Sequence, residues 1–164
     1  MRDLTILLEG FSKTYAMTGW RLGYAAMRQD LADQIAKLQT NSNSCTASFI
    51  QMAGIAAYDG PQGESDAMMK SFQERRDIMV DGLNTLPGVS CLSPAGAFYV
   101  FPNITGTGID SRELAKRCLE EAGVAVLSGT AFGRYGDGYL RLSSANSVEN
   151  INEAIERLRK LLGG

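Results

Sequence analysis

The sequence predicts an α/β or α+β fold, and three observations carry that expectation. Short apolar runs alternate with longer helical segments along most of the chain. The helical segments repeat apolar residues at intervals of three and four, as one-sided helices do. Hydrophobic residues make up 45% of the 164 residues, a share that suits a packed core and argues against disorder.

Residues 4–8 (LTILL) form a short uninterrupted apolar run, the pattern of a strand covered on both faces. Residues 21–27 (RLGYAAM) read as a second strand. Residues 28–40 (RQDLADQIAKLQT) give a helix with Asp30 as its cap and Leu31, Ile35 and Leu38 on one face. The polar, turn-prone stretch 41–48 (NSNSCTAS) follows, then a more buried helix over 49–58 (FIQMAGIAAY). Gly and Pro in DGPQG, residues 59–63, mark the best boundary in the chain. It divides the sequence into 1–62 and 63–164.

A long helix is expected from Ser65 to Leu86, with Met68, Phe72, Met79, Leu83 and Leu86 on its inner stripe. Residues 96–104 (GAFYVFPNI) read as a strand, and 110–123 as a capped helix with Gly123 at its C-terminal end. Two short strands, 124–129 (VAVLSG) and 139–145 (YLRLSSA), precede a last amphipathic helix over 147–162. There Val148, Ile151, Ile155, Leu158 and Leu162 share a face.

Composition excludes several functions. The formal charge is -2, without the basic footprint of a nucleic-acid binder. No apolar run is long enough to cross a bilayer. The first ten residues place Asp3 and Glu9 around the apolar segment, and no small-residue cleavage site follows, so the stretch does not read as a signal peptide. Three cysteines, Cys45, Cys91 and Cys118, show no metal spacing and read as reduced thiols of a cytoplasmic protein. The sequence contains no histidine, which excludes a Ser-His-Asp triad, a Cys-His pair and a histidine-ligated zinc within it. Proton transfer would fall to lysine, a carboxylate, tyrosine or cysteine.

Chemistry concentrates in EGFSKTYAMTGWRLGY, residues 9–24. In an open α/β sheet, ligands gather beyond the carboxyl ends of the strands, where Lys13 falls. A lysine on a tight loop after a buried strand is partly desolvated, which lowers its pKa and makes the amine a nucleophile towards carbonyls. Arg21 offers a planar, permanently charged fork suited to a phosphate. Ser12 and Thr18 add hydroxyls, and Gly19 permits close approach of backbone. Together these suit a small molecule bearing a carbonyl and a phosphate. The same residues also fit a surface lysine and an arginine at a sheet edge. Arg141 alternates with Leu140 and Leu142 and turns away from them; an arginine so placed needs an anion, either a bound carboxylate or a neighbouring Asp or Glu.

FSKTYAMTGWRLGYA resembles the lysine segment of the fold-type I pyridoxal-phosphate aminotransferases of class I/II, the aspartate aminotransferase-like group. The resemblance continues in order through GAFYVFP (96–102), AGVAVLSGTAFG (122–133) and YLRLSSANSVENINEAIERL (139–158), and so covers nearly the whole chain. It implies the C-terminal part of a large-domain sheet over 1–62 and an α+β small domain, with its long connecting helix, over 63–164. It implies transfer of an amino group between an amino acid and a 2-oxo acid, with pyridoxal 5'-phosphate as cofactor and no metal. Lys13 resembles the lysine that forms a Schiff base with the cofactor and then moves the substrate α-proton. Arg21 matches the phosphate-clamping arginine, with Ser12 beside it. Arg141 matches the arginine that holds the substrate α-carboxylate.

The resemblance has a departure and a gap. Many relatives place a phosphate-binding serine where this chain has Gly10. Phe132 falls near the substrate entrance of relatives, and 41–48 resembles a stretch that approaches the neighbouring subunit's site; it also fits a solvated loop. Tyr15 and Trp20 read as packing residues, and Phe98 and Tyr99 as core of the small domain. Relatives carry, ahead of this region, the ring stacked on the cofactor and the aspartate at its pyridine nitrogen, and no part of this chain resembles those motifs. The expectation is therefore a carboxyl-terminal portion of a homodimeric enzyme, with little turnover alone. A carbon–sulfur lyase of the same fold, or the aminotransferase-like sensor domain of a transcription regulator, would use the same Lys13 and Arg21.

Overall fold

The structure is a computed structural model that describes residues 1–163, the side chain of Arg2 excepted. The chain forms two compact units, Met1–Ala67 and Met68–Gly164.

The first unit opens with a single 3-10 turn, Arg2–Leu4, and not with a strand. Strand β1 spans Leu7–Gly10 and pairs with β2, Gly23–Ala26. The pairing is antiparallel, with Leu7 opposite Ala26 and Gly10 opposite Gly23. Every residue of both strands is exposed, so the expectation of a run covered on both faces does not hold within this chain. A two-stranded ladder has no third strand or layer of its own to cover it.

Helix α1, Gln29–Ser42, starts two residues earlier than an Asp30 cap would place it. Arg28 holds the N-cap position, and Asp30 lies in the first turn, where its carboxylate accepts a hydrogen bond at 2.9 Å from Arg28 Nη2. Asn41 and Ser42 extend this helix, leaving only 43–47 as loop. Helix α2, Ser48–Asp59, buries only Gly54, against Leu22 and Phe11. Its other face exposes Phe49, Met52 and Ile55, contrary to the buried helix expected there.

The second unit contains the main core. Helix α3, Gly63–Asn84, buries Met79, Val80 and Leu83; Leu86 is buried just beyond its end. Helix α4, Ser111–Glu120, is capped by Asp110, whose side chain accepts hydrogen bonds from the amides of Arg112 and Glu113. It closes at Gly123, which adopts φ 65° and donates to the Leu119 carbonyl at 3.2 Å. Helix α5, Val148–Gly163, buries Ile151, Ile155 and Leu158, three of the five residues expected on its inner face.

These helices pack on a three-stranded antiparallel sheet of order β3-β5-β4. Its strands are Tyr99–Val100, Leu140–Ser143 and Leu127–Ser128. Strand β3 is much shorter than the 96–104 run suggests. Ala97 takes a left-handed φ of 62°, and Pro102 has no amide hydrogen for a ladder. Val100, Leu140 and Leu142 face the core with Ile104, Leu114, Ile151 and Ile155. Among the described residues no helix is long and apolar enough to cross a membrane, and no group of side chains could hold a metal ion.

Candidate active-site residues and their family

Residues 11–22 form a loop whose ends are drawn together by the Gly10–Gly23 pair at the close of the β1–β2 ladder. The Phe11 amide donates to the Leu22 carbonyl at 3.2 Å and seals that neck. Ser12 and Lys13 leave it on one side, and Arg21 returns on the other. The loop is anchored from below by aromatic rings. Phe11, 5% exposed, packs edge-on against Tyr58 at 4.9 Å and against Tyr24 at 6.2 Å. Tyr15 joins them, 5.6 Å from Phe11 and 5.8 Å from Tyr58. Such pairs add packing energy beyond area alone.

Polar contacts complete the anchor. The Tyr15 hydroxyl donates to Gln62 Oε1 at 3.3 Å, and Ser65 Oγ donates to the Thr14 carbonyl at 2.9 Å. The Tyr58 hydroxyl donates to that of Tyr24 at 3.0 Å. That bond, reinforced by burial and nearby negative charge, pushes Tyr58 up to about 12. Tyr15 is thus a packing residue, as expected, while Trp20 is exposed.

Arg21 adopts the left-handed φ of 55°, uncommon outside glycine, and its Nη1 donates to the Thr18 carbonyl at 3.0 Å. One donor of the fork is held by its own loop, and the side chain stays exposed. Ser12 is half-buried. Lys13 is exposed, which corrects the expectation of a poorly hydrated amine in this chain. The strands on either side of the loop are themselves uncovered. Gly19 meets no atom within 4 Å of a notional Cβ, so no close approach within the chain requires glycine there.

Arg141 lies in the second unit, on β5 between the buried Leu140 and Leu142. Its guanidinium carbon sits 4.3 Å from the centroid of the Tyr99 ring and 4.2 Å from that of Phe132. It forms no hydrogen bond or ion pair among the described residues. A structural salt bridge, the alternative left open by the sequence, is therefore absent there. The strand register explains the Tyr99 contact. Tyr99 pairs with Ser143, so it is the diagonal neighbour of Arg141 on the face away from the core. Tyr99 is 40% exposed and is not the core residue its sequence context suggests.

Residues 1–158 match the family described as aminotransferase class I and II. The chain belongs to that family. The aspartate aminotransferase of Pyrococcus horikoshii is 46% identical over 162 residues, 98% of this chain and 41% of the relative. Aromatic-amino-acid aminotransferase 2 of Thermococcus litoralis is 38% identical over 99% of this chain and 42% of its own length. Among solved structures, the aspartate aminotransferase from Rhizobium meliloti superposes with a TM-score of 0.94 at 37% identity, covering 99% of this chain and 42% of that one. An aromatic aminotransferase from Pyrococcus horikoshii gives 0.94 at 39% identity, covering 99% and 44%. The chain thus has the mixed α/β fold of the matching part of these aminotransferases, and it spans about two fifths of their length.

Within this family frame, sequence reasoning missed the two rings flanking Arg141. The aromatic residues were visible, but their contact depends on the β3–β5 register and on a turn after β4, neither of which is written in local periodicity.

Proposed function

We propose that this chain is part of an aminotransferase that moves an amino group between an amino acid and a 2-oxo acid with pyridoxal 5'-phosphate. The observation that carries the reading is the loop 11–22, which a family member folds so that Ser12, Lys13 and Arg21 lie at one closed end of a hairpin. The donor set fits the cofactor chemically. It comprises an amine for an aldehyde and a guanidinium with a hydroxyl for a doubly charged phosphate. Lys13 would hold the group through its amine, and Arg21 and Ser12 would hold its phosphate. When bound, pyridoxal phosphate supplies a conjugated ring that accepts the electron pair left as the α-proton departs.

This chain's residues do the remaining work. Lys13 Nζ, once released, accepts the proton from Cα of the amino acid. Arg141 binds the α-carboxylate with its open N–H edge, fixing the Cα–H bond for transfer. We assign 1–62 to the cofactor-binding domain and 63–164 to the smaller domain, and take the complete protein to be a cytoplasmic homodimer. In the full-length protein, purified and supplied with cofactor, 2-oxo acid formation from a panel of amino acids should be measurable. Lys13→Ala should lower that rate by about a thousandfold or more, the scale of a lost proton-transfer group and covalent anchor. Undiminished turnover in K13A would contradict the assignment.

A further inference from the structure

We propose that Tyr99 and Phe132 are positioning residues that clamp Arg141 and set the strength with which it takes a substrate carboxylate. The inference rests on the proposed function, and it gives Tyr99 and Phe132 a role in holding Arg141. A lone guanidinium on a strand samples many rotamers, and holding one of them costs side-chain entropy. Here the two ring centroids lie 4.3 and 4.2 Å from the guanidinium carbon. Attraction to the ring faces holds the cation while leaving its N–H donors without partners among the described residues. The donors are thereby aimed before any ligand arrives, and an anion meets a prepared fork.

The scaffold around Phe132 supports a fixed rather than an adaptable ring. Phe132 ends a 3-10 turn, Gly129–Phe132, directly after β4. The turn is tied to helix α4 by a chain of hydroxyls. Ser111 Oγ, on a residue 1% exposed, lies 2.9 Å from Ser128 Oγ, and Ser128 Oγ lies 2.9 Å from Thr130 Oγ1. Arg112 Nε donates to Thr130 Oγ1 at 3.2 Å. On its other side the turn touches backbone: a Cβ on Gly136 would stand 2.0 Å from the Gly129 carbonyl oxygen. Phe101 packs edge-on against Phe132 at 6.3 Å and stacks on Tyr139 at 5.3 Å. Tyr99 is held by the strand register itself.

The test uses full-length protein with its cofactor and the variants F132L, Y99L and Y99F. Steady-state kinetics with the best amino acid substrate give KM and kcat separately, and cofactor affinity is followed by absorbance. The expected result is a KM raised by about fivefold or more in F132L and Y99L, with kcat and cofactor affinity within about twofold of the wild type. Y99F keeps the ring and should recover the low KM lost in Y99L. In parallel, the Arg141 Nε–H resonance should lie upfield in the wild type, from the ring currents, and move towards the position of free arginine in both leucine variants. If F132L does not fold, the Y99L and Y99F pair carries the same comparison. Turnover in the wild type with an unmoved KM and unmoved resonance in the leucine variants would overturn the inference and leave the proposed function standing. Losses of kcat and cofactor affinity that match the rise in KM would show a merely structural role and would also overturn it. Absence of turnover in the wild type with every amino acid would instead remove the function on which it rests.

Discussion

Arg141 shows how one residue combines what a sequence declares and what it withholds. The Leu140–Arg141–Leu142 alternation already separates the arginine from the core, because a strand's side chains alternate between faces. The rings beside it depend on pairing and turn geometry, which only the folded chain supplies. Lys13 is the opposite case. Its place after a strand is legible, but its expected desolvation is a property of what surrounds the loop, and here it is exposed. The cysteines also separate at this scale. Burial pushes the Cys118 thiol from its ordinary value of 9.0 up to about 11, and raises Cys91 as well. A raised folded-state value means that the neutral thiol is favoured by folding. Its stabilising contribution is complete below pH 9 and is lost as the pH rises through about 11. Urea unfolding between pH 8 and about pH 11 should therefore show falling stability, and Cys118→Ala should flatten that fall. An unchanged slope in C118A would contradict the burial argument.

At the scale of elements, helices were legible and strand partners were not. Ile151, Ile155 and Leu158 recur at helical spacing, and they are the residues α5 buries. Gly123 stops α4 as its position suggests, through a left-handed backbone. The short strands carry too little pattern to name a partner. Thus the antiparallel β1–β2 pairing and the reduction of the 96–104 run to Tyr99–Val100 emerged only in three dimensions. Asp30 was a plausible cap by composition, but it bonds to Arg28 from the first turn instead. Asp110 is a cap in fact, accepting from two otherwise unpaired amides. Asp110→Ala should cost about 1 kcal/mol in urea unfolding, and Asp110→Asn should retain most of it. Equal losses in both variants would show that the amide bonds are not the source.

At the scale of the whole molecule, the two units differ in how completely each covers itself. Residues 68–164 enclose a continuous core of helix and sheet residues. Residues 1–67 leave Leu4 85%, Leu8 75% and Phe49 67% exposed. Apolar surface of this extent, beside an open two-stranded edge, favours association. The relatives are more than twice as long as this chain. The isolated 164-residue polypeptide should bind a hydrophobic dye and sediment as oligomers, whereas 68–164 should do neither. A monomeric, dye-silent full polypeptide would show that the first unit covers itself in solution.

The central claim is that Lys13 is the amine that takes the cofactor. Its most direct test is borohydride reduction of the full-length protein after incubation with pyridoxal 5'-phosphate, followed by peptide mapping. The claim predicts one pyridoxyl-modified peptide, carrying its label on Lys13 and absent from Lys13→Arg. Stable label on another lysine, with Lys13 unmodified, would contradict it.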